Sequence, residues 1–406
     1  MLRDSLWLKI QALHERVTMI DICIIGGGAS GVISAISAHM ENPNSFIHIL
    51  EKNDKIGKKL LATGNGRCNF SNTSCKYSSE ITTFFNALGI KERVEEQGRI
   101  YPYNGQAQDV VDVFESYLNQ HNIKISTGFA VERLSISSDG HIEITSGENK
   151  LTAKNVLIAT GGKAGPQFGS IGDGYKLAKE LGHSVTKTIP ALAPIECKGE
   201  FSKLKGVRVK ATATLLKHNK ILNSVTGEVQ FTDYGLSGIC IFNLSRDIVI
   251  GEEKFSDYQI AVDLIPDMSD MELLLELLSR QKNGNISTEN LLISLVPKKL
   301  ADFIFDLMNI DVMKETTYDE QVQQIAKTLK NLTFTVKNVK GWQFAQCTSG
   351  GIPVDEIDMD TMRSKIAKGL FFAGEVVDFD GPCGGFNLQN AWETGIKAGK
   401  AMAMNV

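Results

Sequence analysis

The sequence predicts an α/β protein whose parallel-sheet domain is split along the chain, with a β-rich and then a helical segment inserted between its two parts. Three observations predict it. Ile20-Asp21-Ile22-Cys23-Ile24-Ile25 is an apolar, β-branched run of the kind buried on both faces of a parallel sheet, and it feeds directly into glycine. Two later apolar runs, residues 154–158 and 369–373, also lead into glycine-containing turns. Between them, beyond Pro190 and Pro194, the apolar spacing changes first to period two and then to a helical period. The expected boundaries are an N-terminal extension over 1–18, the split domain over 19–190 and 335–406, the β-rich insertion over 191–266 and its helical part over 267–334.

At 406 residues the chain is long enough for two or three domains. Its 42% hydrophobic and 22% charged residues exclude a disordered or fibrous chain. The 43 basic residues against 47 acidic ones leave a net charge of −4, and no block of them forms a basic stripe, so no nucleic-acid partner is expected. The seven cysteines are odd in number and none stands in a Cys-x-x-Cys pair, which supports neither a disulfide framework nor a zinc site. No metal is expected. No run of about 18 apolar residues is present to span a bilayer, so no membrane partner is expected either. Arg3, Asp4, Lys9, Glu15 and Arg16 break what would be the core of a secretory signal, so residues 1–18 read as a short amphipathic helix or an upstream start before Met19. The expected location is a reducing cytoplasm; oligomeric state is left open.

Gly26-Gly27-Gly28-Ala29-Ser30-Gly31 follows the first strand and satisfies Gly-x-Gly-x-x-Gly, and the small and apolar residues 32–40 suit a helix packed on a sheet. Gly26 permits the tight turn, Gly28 lets the backbone approach a pyrophosphate, and Gly31 lets helix and strand pack closely. The helix N-terminus, at Ala29 and Ser30, then offers N–H groups and partial positive charge to the phosphates. A second strand, residues 46–50, ends in Glu51, 20 residues past Gly31, the reach expected of a carboxylate on an adenosine ribose. Strand, glycines, helix, strand and terminal acid in register indicate a dinucleotide site. The competing reading is a turn that only packs helix on strand.

Further glycine clusters indicate one large dinucleotide, FAD rather than NAD. Ala159-Thr160-Gly161-Gly162 closes the run 154–158 and resembles the second dinucleotide motif of two-domain flavoproteins. Gly172-Asp173-Gly174 opens a helix as similar turns do in the fumarate reductase branch of those proteins. Gly374-Glu375 closes the run 369–373, where flavoproteins place an acid on the ribityl hydroxyls. Residues 381–391 pass from loop to helix. The start of that helix, with Gly385, Asn387, Leu388 and Gln389, can stabilise charge gathering at the flavin N1 and C2 carbonyl. The alternative is a glycine-rich loop before a surface helix.

Residues 57–72, Gly-Lys-Lys-Leu-Leu-Ala-Thr-Gly-Asn-Gly-Arg-Cys-Asn-Phe-Ser-Asn, resemble the Gly-Arg-Cys-Asn signature of a bacterial flavoprotein family that includes the BaiN-like proteins and the aminoacetone oxidases. The resemblance runs along nearly the whole chain. It passes through Gly98-Arg99-Ile100-Tyr101-Pro102, the Ala-Thr-Gly-Gly turn, Gly227-Glu228, Gly235-Leu236-Ser237-Gly238, Ser349-Gly350-Gly351-Ile352, Thr361-Met362-Arg363-Ser364-Lys365 and residues 374–389. It implies FAD bound by a discontinuous Rossmann-like domain that carries an inserted β-barrel-like domain and a helical segment. It also implies Lys52, Lys59, Gly66, Arg67, Cys68, Ala130, Val131 and Asp173 as cofactor-binding residues, beside the glycines and acids above. Two departures, Tyr101 where relatives often carry Phe and Ile352 where valine is usual, leave FAD intact but put the transfer of a particular substrate in doubt.

In the insertion, residues 207–215 and 228–244 carry β character, with Lys217-His218-Asn219 as a polar turn. Ser269-x-x-Glu272 and Thr317-x-x-Glu320 have the form of capping boxes. Leu273, Leu274, Leu277 and Leu278, and later Val322, Ile325, Leu329 and Leu332, make helical apolar faces. The insertion is expected to cover the flavin and shape a substrate pocket, and the chain to return to the first domain within residues 335–342.

Redox chemistry belongs to the flavin, so the protein has to bind it, orient the donor and tune the ring. No catalytic residue stands out; the candidates are Arg67, Tyr101 and Cys383. Arg67 reads equally as a contact to pyrophosphate or flavin and as an arginine satisfying loop carbonyls. Tyr101 and Tyr103 either donate protons or pack as aromatic rings. Cys383 either has its pKa lowered by the helix it precedes or is a small packing residue. Cys68 and Cys75 do not have the spacing of a flavin-disulfide pair and read as ordinary thiols, and His183 after Leu181-Gly182 reads as a helix end. The expected function is an FAD-dependent oxidoreductase, an NAD(P)H-linked reductase that passes hydride between flavin N5 and a small-molecule substrate. NADH or NADPH is the expected transient electron donor, although no second Gly-x-Gly-x-x-Gly domain is present for it. The alternatives are an oxygen-using amine oxidase and a non-catalytic sensor or scaffold.

Overall fold

The computed structural model describes residues 19–248, 254–283, 285–313 and 318–406. The expectations for residues 1–18 and for Thr317 lie outside the described residues. The chain divides into two compact units, one of the residues up to Ile189 with Cys347–Val406 and the other Pro190–Gln346.

In the first unit the apolar runs form one sheet. Ile20–Ile25 lies between Ile47–Leu50 and Asn149–Ile158, parallel to both. Lys124–Ser126 extends the sheet beyond Ile47–Leu50, and Leu370–Phe372 extends it beyond Asn149–Ile158, again in parallel. Consecutive residues such as Val156, Leu157 and Ile158 are wholly buried, as befits strands covered on both faces. The helix Ala29–Glu41 follows the first glycine turn and packs on the last helix, Phe386–Ala403. Their approach is close because Gly395 and Gly399 rest on the Ser30 and Ser34 carbonyls; a Cβ at either would come within 2.6 and 2.3 Å of those oxygens. A smaller antiparallel sheet joins Ser71–Asn72, Arg99–Pro102 and Glu92–Val94.

The second unit is built on a closed, six-stranded antiparallel barrel. Its order is Ile195–Cys197, Gly235–Ser237, Lys220–Phe231, Arg208–Lys217, Tyr258–Asp263 and Leu332–Val339, with the last strand pairing back to the first. Closure leaves no open sheet edge. Ala211, Ala213 and Leu215 alternate with less buried neighbours, giving the period-two pattern seen in the sequence. His218 and Asn219 both take positive φ, 47° and 63°, the two-residue hairpin geometry that follows strand twist. At Ser269 the capping box forms: its N–H donates to Glu272 Oε2 at 2.8 Å, and the Glu272 N–H donates back to Ser269 Oγ at 3.2 Å.

Several expectations for this unit need correction. Residues 228–244 are not β throughout: Gly238, at φ 98°, turns the chain into a helix, Ile239–Ser245. A Cβ at Gly238 would stand 2.6 Å from the Glu228 carbonyl oxygen, so the turn depends on glycine. At the helix Asp319–Lys330 it is Gln321 that closes on the chain entry, accepting from the Tyr318 N–H at 3.0 Å. Leu332 begins a barrel strand rather than ending that helix's apolar face. The chain returns to the first unit at Cys347, not at Thr335, because Leu332–Val339 is the strand that closes the barrel. The helices at 270–330 are therefore enclosed between two barrel strands instead of following the barrel.

Candidate functional site

Strand register brings four separate sequence signatures to one edge of the parallel sheet. Ile25 is level with Leu50 and with Ile158, and Ile158 with Phe372. Gly26, Glu51, Ala159 and Ala373 therefore leave the sheet side by side, at the carboxyl ends of the strands, where open α/β sheets bind ligands. Backbone bonds fix the alignment: the Gly26 N–H donates to Leu50 O at 2.9 Å, and the Ala159 N–H to Ile25 O at 2.9 Å.

The glycines of the first turn have different tasks. A Cβ on Gly26 would lie 2.5 Å from Ala159 O, and one on Gly31 would lie 1.9 Å from Gly26 O, so both are required by packing. Gly28 is unlike them. Its backbone is extended (φ −82°, ψ −171°), it precedes the helix without any side-chain cap, and nothing lies within 4 Å of where its Cβ would be. The first N–H groups of a helix have no acceptor within it. Uncapped donors beside open space form a cradle for a pyrophosphate, so these residues fit a dinucleotide.

Glu51 is buried. Its Oε2 accepts from the Gly27 N–H at 2.7 Å, and its Oε1 accepts from the Asn53 N–H and Nδ2, both at 2.7 Å. The carboxylate thus braces the glycine turn, and its two oxygens retain acceptor capacity for ribose hydroxyls. The loop after Lys124–Ser126 runs beside it, with the Phe129 N–H donating to Glu51 O at 2.9 Å; Ala130 is exposed and Val131 half-buried.

Two ion pairs tie distant segments together. Lys52 pairs with Asp173 at the start of the helix Asp173–Glu180, and Lys59 Nζ lies 2.6 Å from Glu375 Oε2. Glu375 Oε1 also accepts from the Thr348 N–H at 2.9 Å. Gly162 is wedged here: its Cβ would meet Thr348 Oγ1 at 2.3 Å and Glu375 Oε1 at 2.8 Å. Thr348 Oγ1 accepts from the N–H groups of Lys163 and Ala164 at 2.8 and 3.0 Å, and so holds the second glycine turn. Sequence reasoning gave Thr348 no role; its place in the Thr-Ser-Gly-Gly run was the only signal.

At the last helix, Gly385 (φ 104°) is the N-cap and supplies no side chain to the free N–H groups behind it. The Asn387 and Gln389 side chains each make hydrogen bonds within the protein. Asn387 Oδ1 accepts from the Gly381 N–H at 2.8 Å and its Nδ2 donates to Gly381 O at 3.0 Å, while Gln389 bonds Ser71 Oγ and Glu393.

Tyr101 and Cys383 have the surroundings of the packing alternatives given for them, whereas Arg67 forms an ion pair. Arg67 pairs with the Glu95 carboxylate and lies 4.2 Å above the Tyr101 ring, so its partners are an acid and an aromatic, not loop carbonyls. Glu95 was not visible as a partner in the sequence because it arrives through the small antiparallel sheet. Tyr101 is buried under that arginine and Tyr103 is exposed. Cys68 is wholly buried at φ 57°, and burial pushes its thiol up to about 12. Burial also raises Cys383, with Arg99 opposing, contrary to a thiol activated by the helix end. His183 lies past the helix Asp173–Glu180, its Nδ1 2.7 Å from Glu356 and its Nε2 2.7 Å from Ser364 Oγ, where it joins that helix to the sheet edge.

Comparison with known proteins bears on this arrangement. A family profile described as the HI0933-like protein Rossmann domain matches residues 76–401. The chain is 35% identical over 405 residues to the 3-dehydro-bile acid delta(4,6)-reductase of Clostridium scindens, covering 94% of this chain and 98% of that protein. It is 27% identical over 404 residues to the ribosomal RNA dihydrouridine synthase of Haemophilus influenzae, covering 91% and 95%. Among solved structures, the open conformation of a flavocytochrome c3 fumarate reductase shares the fold, with a TM-score of 0.53 at 15% identity over 99% of this chain and 81% of that one.

Proposed function

The chain belongs to the HI0933-like Rossmann family and is an FAD-dependent oxidoreductase, and from that premise we propose that it is an NAD(P)H-linked reductase of a small organic substrate, with hydride transfer at flavin N5. The observation that carries the reading is the identity with a named reductase along 94% of the chain. That relative's substrate supports a small molecule of the 3-dehydro-bile acid class.

FAD, when bound, supplies the two-electron transfer. In this reading Gly28 and the N–H groups of Ala29, Ser30 and Gly31, where open space and uncapped helix donors meet, would hold its pyrophosphate. Glu51 holds the adenosine ribose, with Ala130 and Val131 alongside. Glu375, balanced by Lys59 and oriented by Thr348, holds the ribityl end together with the Thr160-Gly161-Gly162 turn, and the Lys52–Asp173 pair keeps the two turns in place. The uncapped start of Phe386–Ala403 would offer its backbone dipoles to the ring. Arg67 and Tyr101 hold each other and the loop around Gly66 and Cys68, and Cys383 remains a protonated thiol. All seven cysteines lie outside disulfides, which supports a cytoplasmic setting. Among the described residues, no helix is long and apolar enough to cross a membrane.

Anaerobic addition of NADH or NADPH, followed by flavin absorbance, tests the donor. Bleaching by either is expected. Failure of both, with bleaching by an amine, would replace the reading with an oxidase. A second reading, an RNA substrate, stands against the expectation of no nucleic-acid partner. It is favoured by the name of the Haemophilus relative and by Lys163, Lys176, Lys179 and Lys187 lining one open cleft of about 650 Å³ in the first unit. Salt-dependent binding of a ribosomal RNA fragment, with turnover of its uridines, would establish it; absence of binding at low salt removes it.

A further inference from the structure

Four consecutive residues, beginning with the asparagine of the Gly-Arg-Cys-Asn run, each engage the last helix or the loop that enters it. Asn72 Nδ2 donates to Gly384 O at 2.9 Å. Ser71 Oγ donates to Gln389 Oε1 at 2.5 Å, and Ser71 O stands where a Cβ on Gly385 would come within 2.1 Å. Phe70 O accepts from Trp392 Nε1 at 2.9 Å. Asn69 joins them in the amide orientation that gives both its ends partners: Oδ1 accepts from the Gly385 N–H at 3.2 Å, and Nδ2 donates to Ser71 O at 3.0 Å and Ile100 O at 3.2 Å.

The pattern is selective. Asn69 takes the N–H of the N-cap, Gly385, and leaves those of Phe386, Asn387 and Leu388, which have no acceptor within the helix. These three residues are half-buried, whereas Ser71 and Asn72 are buried. The clamp therefore holds the helix start without covering it. The body of the helix is held elsewhere, by Gly395 and Gly399 against Ser30 and Ser34. The favourable field of a helix N-terminus falls off within the first turn, so its effect on a charge depends on where that turn is fixed.

We propose that Asn69 and Asn72 are positioning residues that fix the start of the helix Phe386–Ala403 and so raise the reduction potential of bound FAD. This rests on the reading that the helix start faces the flavin ring, and it assigns to the asparagine of the Gly-Arg-Cys-Asn run a role in tuning the cofactor.

Two variants test it. Asn72→Ser keeps an oxygen for the Ser74 N–H, which Asn72 Oδ1 now accepts at 3.0 Å, but is too short to reach Gly384. Asn69→Ala removes the bond to Gly385. Hydrogen exchange of the apoprotein over residues 385–392 should quicken about two- to tenfold, the effect of one lost hydrogen bond, while exchange beyond Gly395 stays as it was. The potential of bound FAD, read by equilibration with a reference dye, should fall by about 14–30 mV, a three- to tenfold loss for a two-electron couple. Gly28→Ala, at the pyrophosphate end, is the control: it should weaken FAD without moving the potential. Either asparagine variant suffices if the other does not fold. Unchanged exchange overturns the proposal. Quicker exchange with an unchanged potential means that the segment holds the helix but the helix does not act on the ring, which overturns the orientation reading and the tuning role with it. Failure of the unaltered chain to bind FAD would overturn the cofactor assignment itself.

Discussion

Substituting Gly28 by alanine separates packing from ligand binding more cleanly than any other change in the first turn. Alanine readily adopts φ −82° and ψ −171°, and no atom lies within 4 Å of the new methyl group. The apoprotein should therefore be unharmed, or gain about 0.4–1 kcal/mol as the unfolded chain loses freedom. FAD meets the opposite effect. A methyl in the cradle keeps the pyrophosphate from one or two N–H groups, each such charge-assisted bond being worth about 1.5–3 kcal/mol. A loss of about 2–4 kcal/mol corresponds to a dissociation constant raised roughly 30- to 700-fold. Urea unfolding of the apo form and FAD titration read the two effects separately. Gly31→Ala is the control: its methyl would stand 1.9 Å from Gly26 O, so that variant should fail at folding itself. A Gly28→Ala protein that binds FAD as tightly as the parent would refute the placement of the pyrophosphate.

Three further outcomes follow from the same geometry. Lys59→Met leaves Glu375 partly buried with the Thr348 N–H as a remaining partner, and should lower apo stability by about 1–2 kcal/mol after allowance for partial exposure; a double-mutant cycle with Glu375→Gln should show coupling, and additive effects would count against the pair. His48, buried in the sheet, is held down to about 4, first by burial and then by Lys124, against an ordinary 6.5. Between these values the unfolded chain takes up a proton that the folded one refuses, so this contribution is complete above pH 6.5 and is lost as pH falls towards 4. It amounts to about 3 kcal/mol, and His48→Gln should flatten that part of the stability–pH curve measured in urea. Cys383 should react with iodoacetamide at pH 8 more slowly than an exposed thiol, and Cys383→Ala should keep its FAD; rapid alkylation would point to a thiolate stabilised by the helix end.

What could be read in advance was local. The turn at Gly26, the capping box at Ser269–Glu272 and the hairpin at His218-Asn219 depend on backbone conformation over a few consecutive residues, and there the residue type carries the information. The boundary at 335 was misplaced for a related reason. A short apolar run such as residues 332–339 has the same composition whether it extends a helix face, closes a barrel or starts a new domain, and spacing cannot choose among these.

The sequence by itself determined that strands end in glycine or acid at residues 25–31, 50–51, 158–162 and 372–375, and hence that a dinucleotide site would exist. Tertiary structure decided who meets whom there. Lys59 reaches Glu375 across 316 positions, Arg67 meets Glu95 and the Tyr101 ring, and Thr348 holds the second glycine turn. The reason is physical: backbone preference acts between neighbours in the chain, whereas side-chain partners are set by strand register and packing, which become defined only when the whole sheet is assembled.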